Sequence, residues 1–256
     1  MPTRRLPWSL PRSAPFAVTS TVVVGVGALT ASSLRAAAHV RDMRARGREV
    51  PPLDHDLELA GEAPLRRIAV VGDSAAAGHG LPDAEDAWAR QIARALHATD
   101  GRATELRNAA VDGADIPCVL ATQVHVLEDA EVVLINVGVN DAIRRHGPRR
   151  IARDLDRLLT EVHRRADPEV YVLLLTAPDL SVAPGLPAIL APPLALLCRM
   201  TARVQRRVAA AHGVDTIAMP RQVLPPEVFG DDGFHPGVIG HRRMAAALIE
   251  RLTAPH

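Results

Sequence analysis

Ser74 lies in the stretch Ile-Ala-Val-Val-Gly-Asp-Ser-Ala-Ala-Ala-Gly-His-Gly, residues 68 to 80, where an apolar β-branched run stops at Gly72 and small residues follow. Such a run reads as a strand and the residues after it as its exit turn. In open α/β sheets ligands meet the carboxyl ends of the strands, so a hydroxyl there is placed to meet a substrate. Serine is a weak nucleophile. Covalent chemistry on it needs a base for its proton and donors for the charge that develops on the attacked carbonyl. Three distant stretches offer such groups. Gly113 ends the run Asn108-Ala-Ala-Val-Asp-Gly113 and can bring a backbone N–H close to a ligand with no side chain between. Asn140, in Gly138-Val-Asn140-Asp141, supplies an amide as a neutral donor. The last loop runs Asp231-Asp232-Gly-Phe-His235-Pro236. Singly, each has an ordinary reading: a Gly-Asp-Ser turn, a turn glycine, a helix cap and a surface histidine.

The elements that must position these residues follow from periodicity. After the strand at Ile68, residues 84 to 98 carry Trp88, Ile92 and Leu96 at helical spacing, and a second strand closes at 106 to 109. Residues 114 to 127 read as a helix with Pro117 in its first turn, where its missing N–H costs nothing. Residues 131 to 137 form a near-continuous apolar run, the mark of a strand buried on both faces. A long amphipathic helix spans 148 to 166, with Ile151, Leu155, Leu158 and Val162 on one side. Strands at 170 to 176 and 214 to 219 then alternate with helices at 192 to 212 and 237 to 252. Strands alternating with helices imply a parallel sheet covered on both faces, and the four chemical stretches fall at strand exits.

In their order and approximate spacing, these stretches resemble the blocks of the SGNH hydrolase family, the GDSL-type esterases and lipases, over residues 68 to 252. The resemblance implies a three-layer α/β/α sandwich with a five-stranded parallel sheet of the flavodoxin-like kind. It implies Ser74 as nucleophile, and Gly113 and Asn140 joining the Ser74 N–H in an oxyanion hole. Asp232 and His235 would be the Asp-x-x-His pair, since only Asp232, not Asp231, stands three residues before His235. His235 would take the serine proton and Asp232 would orient the imidazole, with no metal and no organic cofactor. Ala75 replaces the leucine of the family name, and Ala109 and Ala110 stand where many members have a glycine. The expected activity is therefore cleavage of carboxylic esters. Deacetylation or acyl transfer on cell-envelope carbohydrate is the alternative within enzymes, and a membrane-tethered binding protein is the alternative outside them.

Composition narrows the partners. A formal net charge of +1 and 2% aromatic residues leave neither the basic field nor the stacking platforms that nucleic-acid binding needs. Residues 13 to 34 carry no charge and suit a single membrane-spanning helix, although Ala36-Ala37-Ala38 also resembles a signal cleavage site. The expected organisation is an anchor or signal over 1–38, a charged Pro-containing linker over 39–66 and the hydrolase domain over 67–256. Its expected location is membrane-anchored or secreted and extracytoplasmic. The arginines from Arg35 to Arg48 argue for the opposite orientation by the positive-inside rule. Cys118 and Cys198 suit free packing thiols or one bridge. His79 reads as a surface loop histidine, and His241 lacks partners at metal spacing. The long proline-rich segment 176 to 193 is either a lid that meets an acyl chain, from a lipid-like ester, or ordinary core at the sheet edge.

Overall fold

The computed structural model describes residues 55–218 and 224–254. Its strands are β1 (Leu57–Leu59), β2 (Glu62–Gly72), β3 (Arg102–Asn108), β4 (Val132–Asn136), β5 (Tyr171–Leu175) and β6 (Asp215–Ile217). The helices are α1 (Trp88–Asp100), α2 (Ile116–Thr122), α3 (Val139–Ile143), α4 (Pro148–Arg165), α5 (Ala191–Ala211) and α6 (Val238–Thr253). The sheet order is β1-β3-β2-β4-β5-β6. All neighbours pair in parallel except β1, which runs antiparallel to β3 with Leu57 opposite Leu106.

The sandwich follows from alternation along the central strands. Val71, Val133, Ile135 and Leu174 face one side, where they pack with Ile116 and Val119 of α2, Ile151, Leu155 and Leu158 of α4, and Ala209 of α5. Val70, Leu134, Leu173 and Leu175 face the other, against Trp88 and Ile92 of α1 and Met244 and Leu248 of α6. Side chains of period two feeding two helical layers produce the three-layer arrangement. Helix α4 shows the same logic at its own scale: Pro148 opens it, its apolar stripe is buried, and His163, Arg164 and Arg165 end it where the helix dipole favours cations.

The structure departs from the expected five strands. A sixth, β1, and the first residues of β2 come from the segment read as linker. Leu57 and Leu59 are the only apolar residues in β1, too short a pattern to register as a strand beside so many charges. The expected helix over 84–98 divides into a 3-10 turn at Ala84–Asp86 and α1, and the one over 114–127 divides at Gln123. The apolar stretch of residues 13 to 34, with its anchor or signal reading, lies outside the described residues. Among the described residues, no helix is long and apolar enough to cross a membrane. Cys118 and Cys198 are free thiols on α2 and α5.

Candidate active site

Ser74 leaves β2 in a turn fastened at every residue around it. The Asp73 N–H donates to the Asn136 carbonyl at 2.9 Å, and the Asp73 carbonyl accepts from Ala76 at 3.0 Å and Ala77 at 2.9 Å. The Asp73 side chain accepts from the Ala75 N–H at 3.1 Å. The indole N–H of Trp88 donates to the Ala75 carbonyl at 2.9 Å, and the Asn108 amide donates to the Ala76 carbonyl at 2.9 Å. A glycine is needed just before this turn, because a Cβ on Gly72 would lie 2.2 Å from the Asn136 carbonyl oxygen. Neither the N–H nor the hydroxyl of half-buried Ser74 makes a hydrogen bond among the described residues. Nucleophile geometry is commonly loose before substrate arrives.

Two buried glutamines stitch the strand exits together. Gln123 accepts from the Gly72 N–H at 2.7 Å and donates to the Gly72 carbonyl at 2.9 Å, which pairs both backbone groups at the end of β2. Gln205 of α5 accepts from the Ala177 N–H at 2.8 Å and donates to the Val137 carbonyl at 2.7 Å, joining the ends of β5 and β4. Sequence reasoning missed both. Their only sequence signal is a polar residue at a position that helical periodicity assigns to the core.

Gly113 has φ +75°, a conformation that costs other residues strain, and its N–H has no acceptor among the described residues. The Asn140 amide donates to the Ala114 carbonyl at 3.0 Å, which leaves its second hydrogen for another acceptor. The loops of Gly113 and Asn140 are therefore bound to each other. Arg144 adds a bond to the Gly113 carbonyl at 3.0 Å and pairs with Asp115. Asp115 and Asp141 both accept from N–H groups at the start of α2, those of Cys118 and Ile116, each at 3.1 Å.

In the last loop Asp232 and His235 are bonded, Nδ1 to Oδ2, at 2.5 Å. The other Asp232 oxygen accepts from the N–H groups of Phe234 at 2.8 Å and His235 at 2.9 Å. Burial pushes the Asp232 carboxyl up, but the His235 bond, the His235 charge and these N–H groups outweigh it and bring the pKa down to about 2. Asp231 is exposed. The proline-rich loop backs this turn: Gly185 donates to the Gly233 carbonyl at 2.8 Å, while Leu180 and Ala183 are buried as core and Ile189 is exposed. Part of the loop is therefore core, as one of the two expectations had it.

His79 departs from its expected surface position. Its N–H donates to the Ser74 carbonyl at 3.0 Å, its Nδ1 pairs with Asp112, and its ring centroid is 4.2 Å from that of His235. It therefore connects the Ser74 turn to the last loop. His241 is fully buried on α6, where it accepts from the Trp88 N–H at 3.3 Å. Burial, then the charges of His55 and His235, lower its pKa to about 3, so it stays neutral. His79, Asp232 and His235 place ligand-type atoms within 4.8 Å of one another.

This geometry can be set beside known proteins. The model of the GDSL-like lipase/acylhydrolase family matches residues 70–243. The GDSL-like esterase Rv1075c of Mycobacterium tuberculosis is 27% identical, with the alignment covering 98% of this chain and 87% of that protein. Among solved structures, the extracellular lipase of Streptomyces rimosus superposes with a TM-score of 0.55 at 21% identity, over 72% of this chain and 98% of that one. A catalytic mutant of an acetylxylan esterase from Geobacillus stearothermophilus superposes with a TM-score of 0.58 at 15% identity, over 77% and 97%. The family match, with this α/β sandwich, makes the chain a hydrolase acting on ester bonds. More narrowly, the chain belongs to the GDSL-like lipase/acylhydrolase family.

Proposed function

We propose that the protein cleaves carboxylic esters through an acyl-enzyme on Ser74, with His235 as general base and Asp232 orienting it. The observation that carries this reading is the Asp232–His235 bond at 2.5 Å in a loop whose histidine ring packs on His79, itself bonded to the Ser74 carbonyl. In the first step the Ser74 oxygen bonds to the ester carbonyl carbon as His235 takes the hydroxyl proton. The N–H groups of Ser74 and Gly113 and the amide of Asn140 hold the resulting oxyanion. Collapse breaks the bond to the alkoxide, which leaves with the proton from His235. Water then repeats the sequence on the acyl-enzyme and releases the acid.

The test is a chain-length series of p-nitrophenyl esters on wild type and Ser74→Ala. Loss of turnover with the fold intact is the expected result, and equal rates would sink the serine mechanism. The proline-rich segment 176 to 193, bonded through Gly185 to the loop that bears His235 and exposing Ile189, supports an acyl group larger than acetyl. Activity confined to acetyl esters would overturn that preference in favour of carbohydrate deacetylation. We further propose that residues 13 to 34, which carry no charge, attach the protein to a membrane or lead to its secretion, with the hydrolase extracytoplasmic. Reporter fusions after residue 50 test this, and a cytoplasmic signal would reverse it.

A further inference from the structure

We propose that His79 is a positioning residue of this site: it ties the Ser74 turn to the Gly113 loop, braces the His235 ring, and with Asp112 sets the local field in which His235 works. The inference rests on the serine-hydrolase reading above. His79 touches three of the four strand-exit loops at once. Its own N–H closes the Ser74 turn through the Ser74 carbonyl at 3.0 Å. Its Nδ1 pairs with Asp112, the neighbour of Gly113, so the loop bearing one candidate oxyanion donor is fastened to the turn bearing the other. Its ring lies against His235 at 4.2 Å between centroids, inclined by 44°. Phe234 meets the His235 ring edge-on at 5.3 Å, so the imidazole is confined by two aromatic neighbours as well as by Asp232. A loop histidine with no task would not be expected to have a side chain only 11% exposed, as this one is.

The result is two histidine–aspartate pairs in one site, Asp232–His235 and Asp112–His79, with their rings in contact. The bond from Asp112 raises the His79 pKa against the opposing effect of burial, and the charges of Asp112 and Asp232 add to it. His79 therefore keeps its proton to higher pH than a free histidine. An imidazolium beside His235 opposes a second positive charge there, and the Asp112 carboxylate offsets it. The other titratable neighbours are His241, held neutral on α6, His55 next to it, and Asp73 beneath the Ser74 turn, whose carboxyl burial and the charges of Asp141 and Asp112 push up to about 7. The balance between His79 and Asp112 is thus what substitutions would tip.

The experiment measures kcat and KM for p-nitrophenyl acetate from about pH 5 to 9, using the full chain as wild type, Ser74→Ala, His79→Gln and Asp112→Asn. His79→Gln is expected to lower kcat about ten- to hundred-fold with KM within about two-fold, as misalignment of reacting groups does. It leaves the Asp112 carboxylate unopposed, so the acid limb of kcat/KM moves to higher pH. Asp112→Asn removes the carboxylate together with the bond that keeps the proton on His79, so the pair becomes neutral and the limb stays near that of wild type, while kcat falls as the tie to the Gly113 loop is lost. A limb moved by His79→Gln and not by Asp112→Asn is what a purely structural role would not give. Wild-type turnover by Ser74→Ala would bring down the serine reading and this inference together. An inactive Ser74→Ala beside a His79→Gln with wild-type kcat and an unmoved limb overturns this inference alone, as does a limb displaced equally in both variants. Should His79→Gln fail to fold by circular dichroism, Asp112→Asn retains the imidazole and decides alone: a wild-type kcat rejects the proposal.

Discussion

In the proposed mechanism Asn140 and Gly113 would serve the oxyanion through what they leave unbonded. The Asn140 amide spends one hydrogen on the Ala114 carbonyl, and that bond fixes the direction of the other. Preorganised donors of this kind cost no reorientation when charge develops, which is why losing one is so damaging. Asn140→Ala is expected to lower kcat about a hundred- to thousand-fold while far-UV circular dichroism stays that of wild type. Unchanged turnover would remove Asn140 from the oxyanion hole. The residues of the candidate site, Ser74, Gly113, Asn140, Asp232 and His235, could be picked out from the sequence because they occur in short local patterns. The bonds of His79 were not readable, since its partners Asp112 and His235 are brought to it by folding and no local spacing encodes them.

At the scale of elements, the strand exits must be held in register for the loops to meet, and buried glutamines do this where strand pairing has stopped. Gln123 replaces the strand neighbour that Gly72 lacks beyond the last sheet bond. Gln123→Leu would keep the volume but strand the buried Gly72 N–H, whereas the Gly72 carbonyl keeps the bond from Val111 at 3.2 Å, at a cost of about 1 to 3 kcal/mol. The melting temperature should then fall by on the order of 5 °C, with kcat reduced as the Ser74 turn loosens. A melting temperature within a degree of wild type would show that the clamp is dispensable. The parallel strands and their covering helices were legible because their apolar periods are long. The break of the second helix at Gln123 and the edge strand β1 were not. One depends on a backbone group 51 residues away, and the other on pairing of three residues with β3.

At the scale of the whole molecule, two aspartates of the site pull stability in opposite directions with pH. Burial, joined by the charges of Asp141 and Asp112, raises the Asp73 pKa from 3.8 to about 7 against the bond from the Ala75 N–H. The folded state holds that proton more tightly than the unfolded one, so the stability it confers is complete below 3.8 and is lost as pH rises to about 7. Asp232 is the reverse: its contribution is complete above 3.8 and is lost as pH falls towards about 2. Asp73→Asn, which keeps an oxygen for the Ala75 N–H, should therefore gain melting temperature relative to wild type between pH 4 and 8. Asp232→Asn should lose ground relative to wild type as pH rises from 2 to 5. Parallel curves for wild type and variant would contradict the assignment in either case.

Strand β1 has a further consequence at this scale. The five parallel strands end at the catalytic rim, and β1 runs against them, so the residues just before it lie at that rim. Asp56 accepts from the Asn108 N–H at the end of β3 at 2.8 Å, and the His55 ring lies so close to Gly78 that a Cβ there would approach it to 2.7 Å. The polypeptide thus enters the domain beside the mouth of the enzyme and not behind it. A bulky folded tag joined directly ahead of residue 55 should screen large or aggregated esters while sparing p-nitrophenyl acetate, and the same tag placed after Thr253 should screen neither.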